Sequence, residues 1–172
     1  MKKRLIFGII FLISIILLCS SFTLVKECYV ESSYNIPENI KTQIKVETQG
    51  MEDIRIAKYC VELTAKILDF SEVNNISKGK ANCVGYATVC TALCNYAYSV
   101  NNNVNIKAKH VRGKVLYFNL DVCNILKNIV PNKYKNFVKN HDFIEIDIGD
   151  IYIFLYPTCF DIIGNYNMTI NK

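Results

Sequence analysis

Cys83 and the only two histidines of this 172-residue chain, His110 and His141, are the residues whose types point to chemistry. Cys83 follows a loop that contains Gly79 and opens a small, apolar segment typical of a buried helix. The start of a helix favours a thiolate, because free backbone N–H groups and the helix dipole both meet the sulfur there. A nucleophilic thiol also needs a base, and a histidine can supply it. We therefore treat Cys83 as the candidate nucleophile.

His141 stands at the mouth of a predicted β-hairpin that runs from His141 to Asp161. A two-residue turn at Ile148-Gly149 would suit the glycine, which tolerates positive φ. In the register that this turn sets, Tyr156 lies directly across the hairpin from His141. Its hydroxyl group is then close enough to orient the imidazole, and His141 is the candidate base.

The remaining polar groups are weaker candidates. Strand alternation places Asp142 on the face opposite to His141. Asp161 follows the end of the second strand and could fold back towards the histidine. We interpret His110 as a structural or surface residue on a core strand, while Cys90 and Cys94 lie too deep in their helix for its dipole to activate them.

Four motifs, in this order, resemble the transglutaminase-like superfamily over about residues 50–165. Each motif is short, and it is their order and spacing that make the resemblance fairly specific. They correspond to the nucleophile loop, the first core strand, the histidine strand and the Asp-Pro-Thr strand end of that family. In this chain they read Gly79-Lys80-Ala81-Asn82-Cys83-Val84-Gly85-Tyr86-Ala87, Lys107-Ala108-Lys109-His110-Val111-Arg112-Gly113, His141-Asp142-Phe143-Ile144-Glu145 and Leu155-Tyr156-Pro157-Thr158.

The resemblance implies an α+β, papain-like core in which the nucleophile helix packs on an antiparallel sheet. It also implies acyl transfer to or from a peptide or protein substrate, meaning peptide or amide hydrolysis or amide exchange, with no metal or organic cofactor. Cys83 falls on the nucleophile and His141 on the base. Tyr156 stands where the family has aspartate; with an unperturbed pKa of about 10 it can orient the ring but supplies no charge at neutral pH.

Three alternatives stay open. An NlpC/P60-type peptidase also uses Cys-His, but the aspartate expected before its cysteine is Asn82 here, and its later histidine strand is absent. A catalytically impaired transglutaminase-like fold could serve as a binding module at the cell surface, and Tyr156 is the argument for it. A membrane-anchored, disulfide-rich structural domain would require Cys83 to be paired.

The elements that must position these residues follow an order of helices first and antiparallel strands later, which favours an α+β domain over a doubly wound one. A helical repeat of apolar residues predicts a long helix before the cysteine, and Pro131 limits a later one. The predicted elements are a helix over Met51–Phe70, the Cys83–Ala97 helix, a strand over Ile106–Tyr117 with a break at Gly113, a helix over Leu120–Ile129, a basic loop or short helix over 131–140, the hairpin and a polar tail.

The N-terminus carries a targeting pattern. Basic residues at positions 2–4 precede an apolar run and then small residues, as in a secretory signal. We therefore expect residues 1–21 to be a signal peptide or an N-terminal membrane anchor, with anchoring through residues 5–25. We expect 22–50 to be a linker with a short strand at Ile44–Val46, and 51–172 to be the domain. The protein would then be exported: periplasmic, extracellular or membrane-anchored.

The net charge and the number of cysteines further narrow the class of protein to which this chain could belong. The formal charge is +5, but three positive charges lie in the targeting segment and no basic stripe is present, so nucleic acid is excluded as a partner. Export favours disulfides among the eight cysteines. Without Cys19 seven remain, so at least one stays unpaired, and burial as small hydrophobic groups is the competing interpretation.

Overall fold

The chain folds as an α+β structure, as the order of its elements predicts. The computed structural model describes residues 23–117, 120–121, 141–164, 166 and 169–171. The expected signal or anchor over 1–21 and the expected elements over 122–140 lie outside the described residues. Most of the predicted positions that bear on chemistry lie within them.

An antiparallel sheet forms the centre of the fold. The described strands are β1 Thr23–Tyr29, β2 Asp69–Phe70, β3 Lys80–Ala81, β4 Lys107–Tyr117, β5 Leu120–Asp121, β6 His141–Ile148, β7 Ile151–Leu155 and β8 Thr169–Asn171. The strands of the central sheet lie in the order β1-β4-β6-β7-β8, and β5 pairs with β4. A separate parallel pair, β2 and β3, precedes the cysteine helix.

The described helices pack against one another and against the sheet. They are α1 Glu38–Glu47, α2 Asp53–Ile67, α3 Cys83–Val100 and α4 Pro157–Ile163, with a 3₁₀ turn at Ile76–Lys78. The predicted helix that begins at Cys83 is confirmed, whereas the predicted Met51–Phe70 helix ends at Ile67. Residues 69–70 pair with β3 instead. Within the described part of the chain, none of the helices has the length and apolar character that crossing a membrane requires.

Two clusters of buried residues lie on the two faces of the sheet. The main core joins the helices to the sheet and includes Ile56, Leu93, Ile144 and Leu155. The second cluster lies on the other side and comprises Leu24, Val111, Val115, Phe143, Phe154, Tyr156 and Cys159. Strand β6 contributes to both clusters, so it is buried on both faces along most of its length.

The segment that was expected to be a linker contributes two elements of the fold. Residues 23–29 form β1, which pairs with β4, and residues 38–47 form α1. The expected strand at Ile44–Val46 is wrong, because Ile44 is a helical residue that is fully buried in the main core. The start of the predicted Leu120–Ile129 helix is also wrong, since Leu120 and Asp121 pair with β4 as a strand.

The predicted hairpin is confirmed over residues 141–155, but its register is wrong, and residues 157–161 belong to helix α4 and not to a strand. The turn lies at Gly149-Asp150, so Asp147 pairs with Tyr152 and Ile144 with Leu155. Gly149 adopts φ 66°. The first central position of such a turn requires a positive φ, which a β-branched residue disfavours. The predicted turn would place Ile148 at that position, whereas the observed turn places Gly149 there.

Strand β4 runs without the expected break at Gly113. At this position β1 crosses so closely that a Cβ atom on Gly113 would lie 1.9 Å from the carbonyl oxygen of Val25. The glycine is therefore required by the close approach of two strands and not by a bend. The register of β1 on β4 shifts shortly after this point, between Lys26 and Cys28.

Replacement of Gly113 by alanine is expected to lower the free energy of unfolding by about 3 kcal/mol, because the new methyl group collides with backbone atoms. Gly50→Ala is the matched control: its Cβ has open space, and only the positive φ of 71° opposes it. That change should cost about 1 kcal/mol. Urea unfolding followed by circular dichroism measures both, and equal losses would contradict the steric account.

Candidate active site

Cys83 is the first residue of α3, and its loop is held by specific contacts. The side chain of Asn82 caps the helix by accepting a hydrogen bond from the N–H of Val84 at 3.0 Å. The N–H of Asn82 in turn donates to Oδ1 of Asn74 at 2.8 Å. A Cβ on Gly85 would lie 2.7 Å from that same oxygen, so a larger residue there would displace the loop. Asn82 and Gly85 thus fit the start of this helix, the first by capping it and the second by leaving room for Asn74.

The thiol of Cys83 is half-buried and packs against the second cluster, which includes Phe143 and Tyr156. Burial raises its pKa above the usual 9.0, although hydrogen bonds from the backbone N–H groups of Asp142 and Val84 act in the opposite direction. Burial therefore opposes the thiolate that the start of the helix was expected to favour, and the direction of the pKa shift favours the protonated thiol in the free protein.

His141 begins β6 and is also largely shielded from solvent. Burial lowers the pKa of its imidazole below the usual 6.5, and the negative charges of Asp142 and Asp121 offset this only in part. The neutral imidazole therefore prevails at neutral pH. A neutral ring with one free nitrogen lone pair is the form that can accept a proton from a thiol.

The side chains of His141 and Tyr156 meet, as the hairpin predicted. The Tyr156 hydroxyl group is hydrogen-bonded to Nδ1 of His141, and the ring centroids lie 5.3 Å apart at 65°. The contact forms although the register differs, because the chain turns after Leu155 and Tyr156 caps helix α4. Its backbone N–H donates to the carbonyl oxygen of Tyr166 at 3.2 Å.

The hydrogen bond to Tyr156 sets a condition on the tautomer of His141. If Nδ1 carries the proton and donates to the tyrosine oxygen, the lone pair of Nε2 is free to accept a proton. The opposite polarity would leave the proton on Nε2 and remove its basicity. Tyr156 can therefore support a base at His141 only by acting as the hydrogen-bond acceptor.

Asp142 points away from His141, as strand alternation predicts, and its carboxylate joins β6 to β4. Nε2 of His110 lies 2.7 Å from Oδ1, and Arg112 donates from Nε to Oδ2 at 3.2 Å and from its terminal nitrogen to Oδ1 at 3.1 Å. Burial would raise the pKa of this carboxyl group, but these hydrogen bonds and charges hold it below the usual 3.8. The interpretation of His110 as structural agrees with these contacts.

The linking role of Asp142 was missed in the sequence, although a signal was present. His110 and Arg112 alternate on one face of a predicted strand, and a carboxylate placed opposite to His141 requires a cationic partner when it is buried. Asp161, the other acid considered, does not reach the site. Its carboxylate accepts a hydrogen bond from the hydroxyl group of Tyr86 at 2.6 Å.

The described side chains offer no arrangement for a metal. Among them, no group of three or more histidine, cysteine, aspartate or glutamate residues has the geometry to hold an ion. What the arrangement does offer is a thiol at three backbone N–H groups, those of Asp142, Val84 and Cys83, with the oriented imidazole of His141 on the residue before Asp142.

Comparisons with known proteins identified no relative of this chain. No protein-family model matches the chain, and neither the curated proteins nor the solved structures include a significant match. The function must therefore be argued from the site itself.

Replacement of Asp142 by alanine should lower the free energy of unfolding at pH 7 by about 3 kcal/mol, because a buried histidine and an arginine lose their common anion. Because the pKa of Asp142 lies below 3.8, the difference in the free energy of unfolding between the wild type and the variant should be fully present above that pH. It should shrink as the pH falls below that value. Urea titrations at several pH values measure this. Asp150→Ala, in the exposed turn, is the control and should change stability by less than about 0.5 kcal/mol; an equal loss in both variants would refute the pairing.

Proposed function

We propose that this protein is an exported, transglutaminase-like cysteine peptidase or amidase that acts by Cys-His acyl transfer on a peptide or protein substrate. The α+β architecture, with the Cys83 helix packed on an antiparallel sheet, is compatible with a papain-like core. One observation carries the proposal: the Cys83 thiol meets the backbone N–H of Asp142, directly beside His141, whose ring is held by Tyr156.

The proposed reaction starts with a neutral thiol and a neutral imidazole. His141 takes the proton of Cys83 as the sulfur attacks the substrate carbonyl carbon, which gives a tetrahedral oxyanion. The C–N bond then breaks, and the imidazolium returns the proton to the departing amine. A thioester remains on Cys83 until water or a second amine attacks its carbonyl carbon and loses a proton to His141. The C–S bond then breaks, and the imidazolium returns the proton to the departing sulfur.

The directions of the pKa shifts explain why this route does not start from a preformed thiolate–imidazolium ion pair. Because burial raises the pKa of the thiol and lowers that of the imidazole, the proton stays on sulfur in the free protein. Tyr156 can orient the ring but has no charge to stabilise an imidazolium. Proton transfer must therefore accompany the attack on the carbonyl carbon, which gives a slower reaction than a resting thiolate.

The backbone N–H groups at the thiol suit the oxyanion that this reaction produces. The N–H groups of Cys83 and Asp142 both act on the sulfur, whereas the N–H of Val84 is already shared with the cap Asn82. Fixed donors of this kind stabilise developing negative charge without reorganisation. We assign the N–H groups of Cys83 and Asp142 as the oxyanion donors of the proposed site.

A second candidate function is a cell-surface binding module that keeps the fold and has lost the chemistry. The protonated state of Cys83 and the tyrosine in place of an acid both favour it. The two functions differ in one observable, the dependence of thiol reactivity on His141. A binding module has no reason to couple the two residues.

Alkylation by iodoacetamide at neutral pH distinguishes them. Cys28 is exposed, so the experiment uses the Cys28→Ser background, in which Cys83 should react faster than the buried Cys90 and Cys94. His141→Ala should slow labelling of Cys83 about tenfold or more, because the general base is lost. Peptide mapping by mass spectrometry gives the rate at each cysteine.

The other histidine provides the matched control. His110→Gln retains an N–H donor for Asp142, and it should leave the labelling rate of Cys83 nearly unchanged. Tyr156→Phe should give an intermediate rate, since the ring keeps its packing but loses its orienting partner. Uniform labelling of the cysteines, or a rate that His141→Ala does not change, would favour the binding module.

The protonation state of the thiol can be measured directly. The ultraviolet absorbance of a thiolate, taken as the difference between the protein and its Cys83→Ser variant, should be absent at pH 7. Because the pKa of Cys83 is raised above 9.0, the signal should appear only as the pH rises beyond that value. A full thiolate signal at pH 7 would show that Cys83 and His141 rest as an ion pair.

A further inference from the structure

Three cysteines that the proposed site does not use meet between α2 and α3. Cys60 lies on α2, and Cys90 and Cys94 lie one turn apart on α3. All three are 0 % exposed within the main core.

The contacts within this group single out one pair. The thiol of Cys94 is hydrogen-bonded to the thiols of both Cys60 and Cys90, while Cys90 also has a hydrogen bond with the side chain of Thr64. Cys60 and Cys94 therefore face each other across the helix interface. Cys90 and Cys94 share a helix, where their Cβ vectors run side by side and do not converge as a disulfide needs.

We propose that Cys60 and Cys94 form a disulfide that joins α2 to α3 when the protein folds in an oxidising compartment. The Sγ–H bonds of both cysteines break and one S–S bond forms. The two electrons and two protons reduce a disulfide of the glutathione or oxidoreductase class to two thiols. Cys90 remains a thiol. This inference rests on the export that the proposed function includes, and it does not depend on the enzymatic activity.

Burial determines when the bond forms. In the folded protein both sulfur atoms are inaccessible, and the hydrogen bond with Cys60, together with burial, raises the pKa of Cys94 well above 9.0. Exchange with an external disulfide needs an accessible thiolate. The bond must therefore form before α2 and α3 close on each other, and it should resist reductants once the core has formed.

The test compares full-length protein refolded in a glutathione redox buffer with protein refolded under reducing conditions. In the oxidised sample, the tryptic peptides 59–66 and 81–107 should be linked under non-reducing conditions, with the mass lowered by two hydrogens. Fragmentation of the linked species should place the bridge at Cys94. The midpoint of thermal unfolding should be higher than in the reduced sample by about 5 °C or more.

Two single variants make the assignment independent of the fragmentation pattern. Cys90→Ala should retain the link between the two peptides, and Cys94→Ala should lose it. Alkylation of Cys60 as a free thiol in the oxidised, unfolded sample would overturn the proposal, as would a link that survives in Cys94→Ala. If Cys94→Ala does not fold, the fragmentation of the wild-type peptides decides.

Discussion

The buried carboxylate of Asp142 is the constraint on which the site depends. An ionised group that is 2 % exposed is costly unless a cation and hydrogen bonds surround it. Arg112 of the neighbouring strand supplies the positive charge, and His110 and Arg112 supply the hydrogen bonds. These contacts fix the register of β4 on β6. The backbone N–H of the same residue meets the thiol of Cys83, and the residue before it is His141. One position thus connects the sheet, the start of the helix and the candidate base.

The same burial that makes this arrangement rigid keeps its reactive groups neutral. A thiol and an imidazole that are shielded from water both lose the stabilisation of their charged forms. The backbone N–H groups at the sulfur favour the thiolate, but they do not outweigh burial. In this account negative charge develops at the site only when the sulfur attacks a substrate carbonyl carbon and the carbonyl oxygen becomes an oxyanion. The fixed N–H groups stabilise that charge.

The sequence predicted the elements whose apolar residues show a clear periodicity. It did not predict features that depend on burial or pairing by residues distant along the chain. The Cys83 helix and the hairpin were readable because their patterns are local. The register was wrong because the choice between turns at Ile148 and at Gly149 depends on one backbone angle. Glu145 is almost fully buried, because Lys26 and Tyr29 of β1 cover its carboxylate. Nothing near Glu145 in the sequence indicates that β1 lies beside it.

Part of the site was predictable for the same reasons. The contact between His141 and Tyr156 followed from the hairpin, since a shift of two residues keeps both side chains on one face. The pairing of Asp142 with β4 required knowledge of which strand lies beside β6. The protonated state of Cys83 required its degree of burial, which the helix dipole alone does not give.

The formation and decay of an acyl-enzyme test the central claim most directly. The full-length protein is mixed with an activated aryl ester of acetate, and the acetyl group is located and timed by mass spectrometry. The account predicts that Cys83 becomes acetylated, that the thioester decays by hydrolysis or faster with an added amine, and that His141→Gln suppresses both steps. Acetylation of Cys28 but not Cys83, or acetylation of Cys83 that proceeds equally without His141, would contradict it.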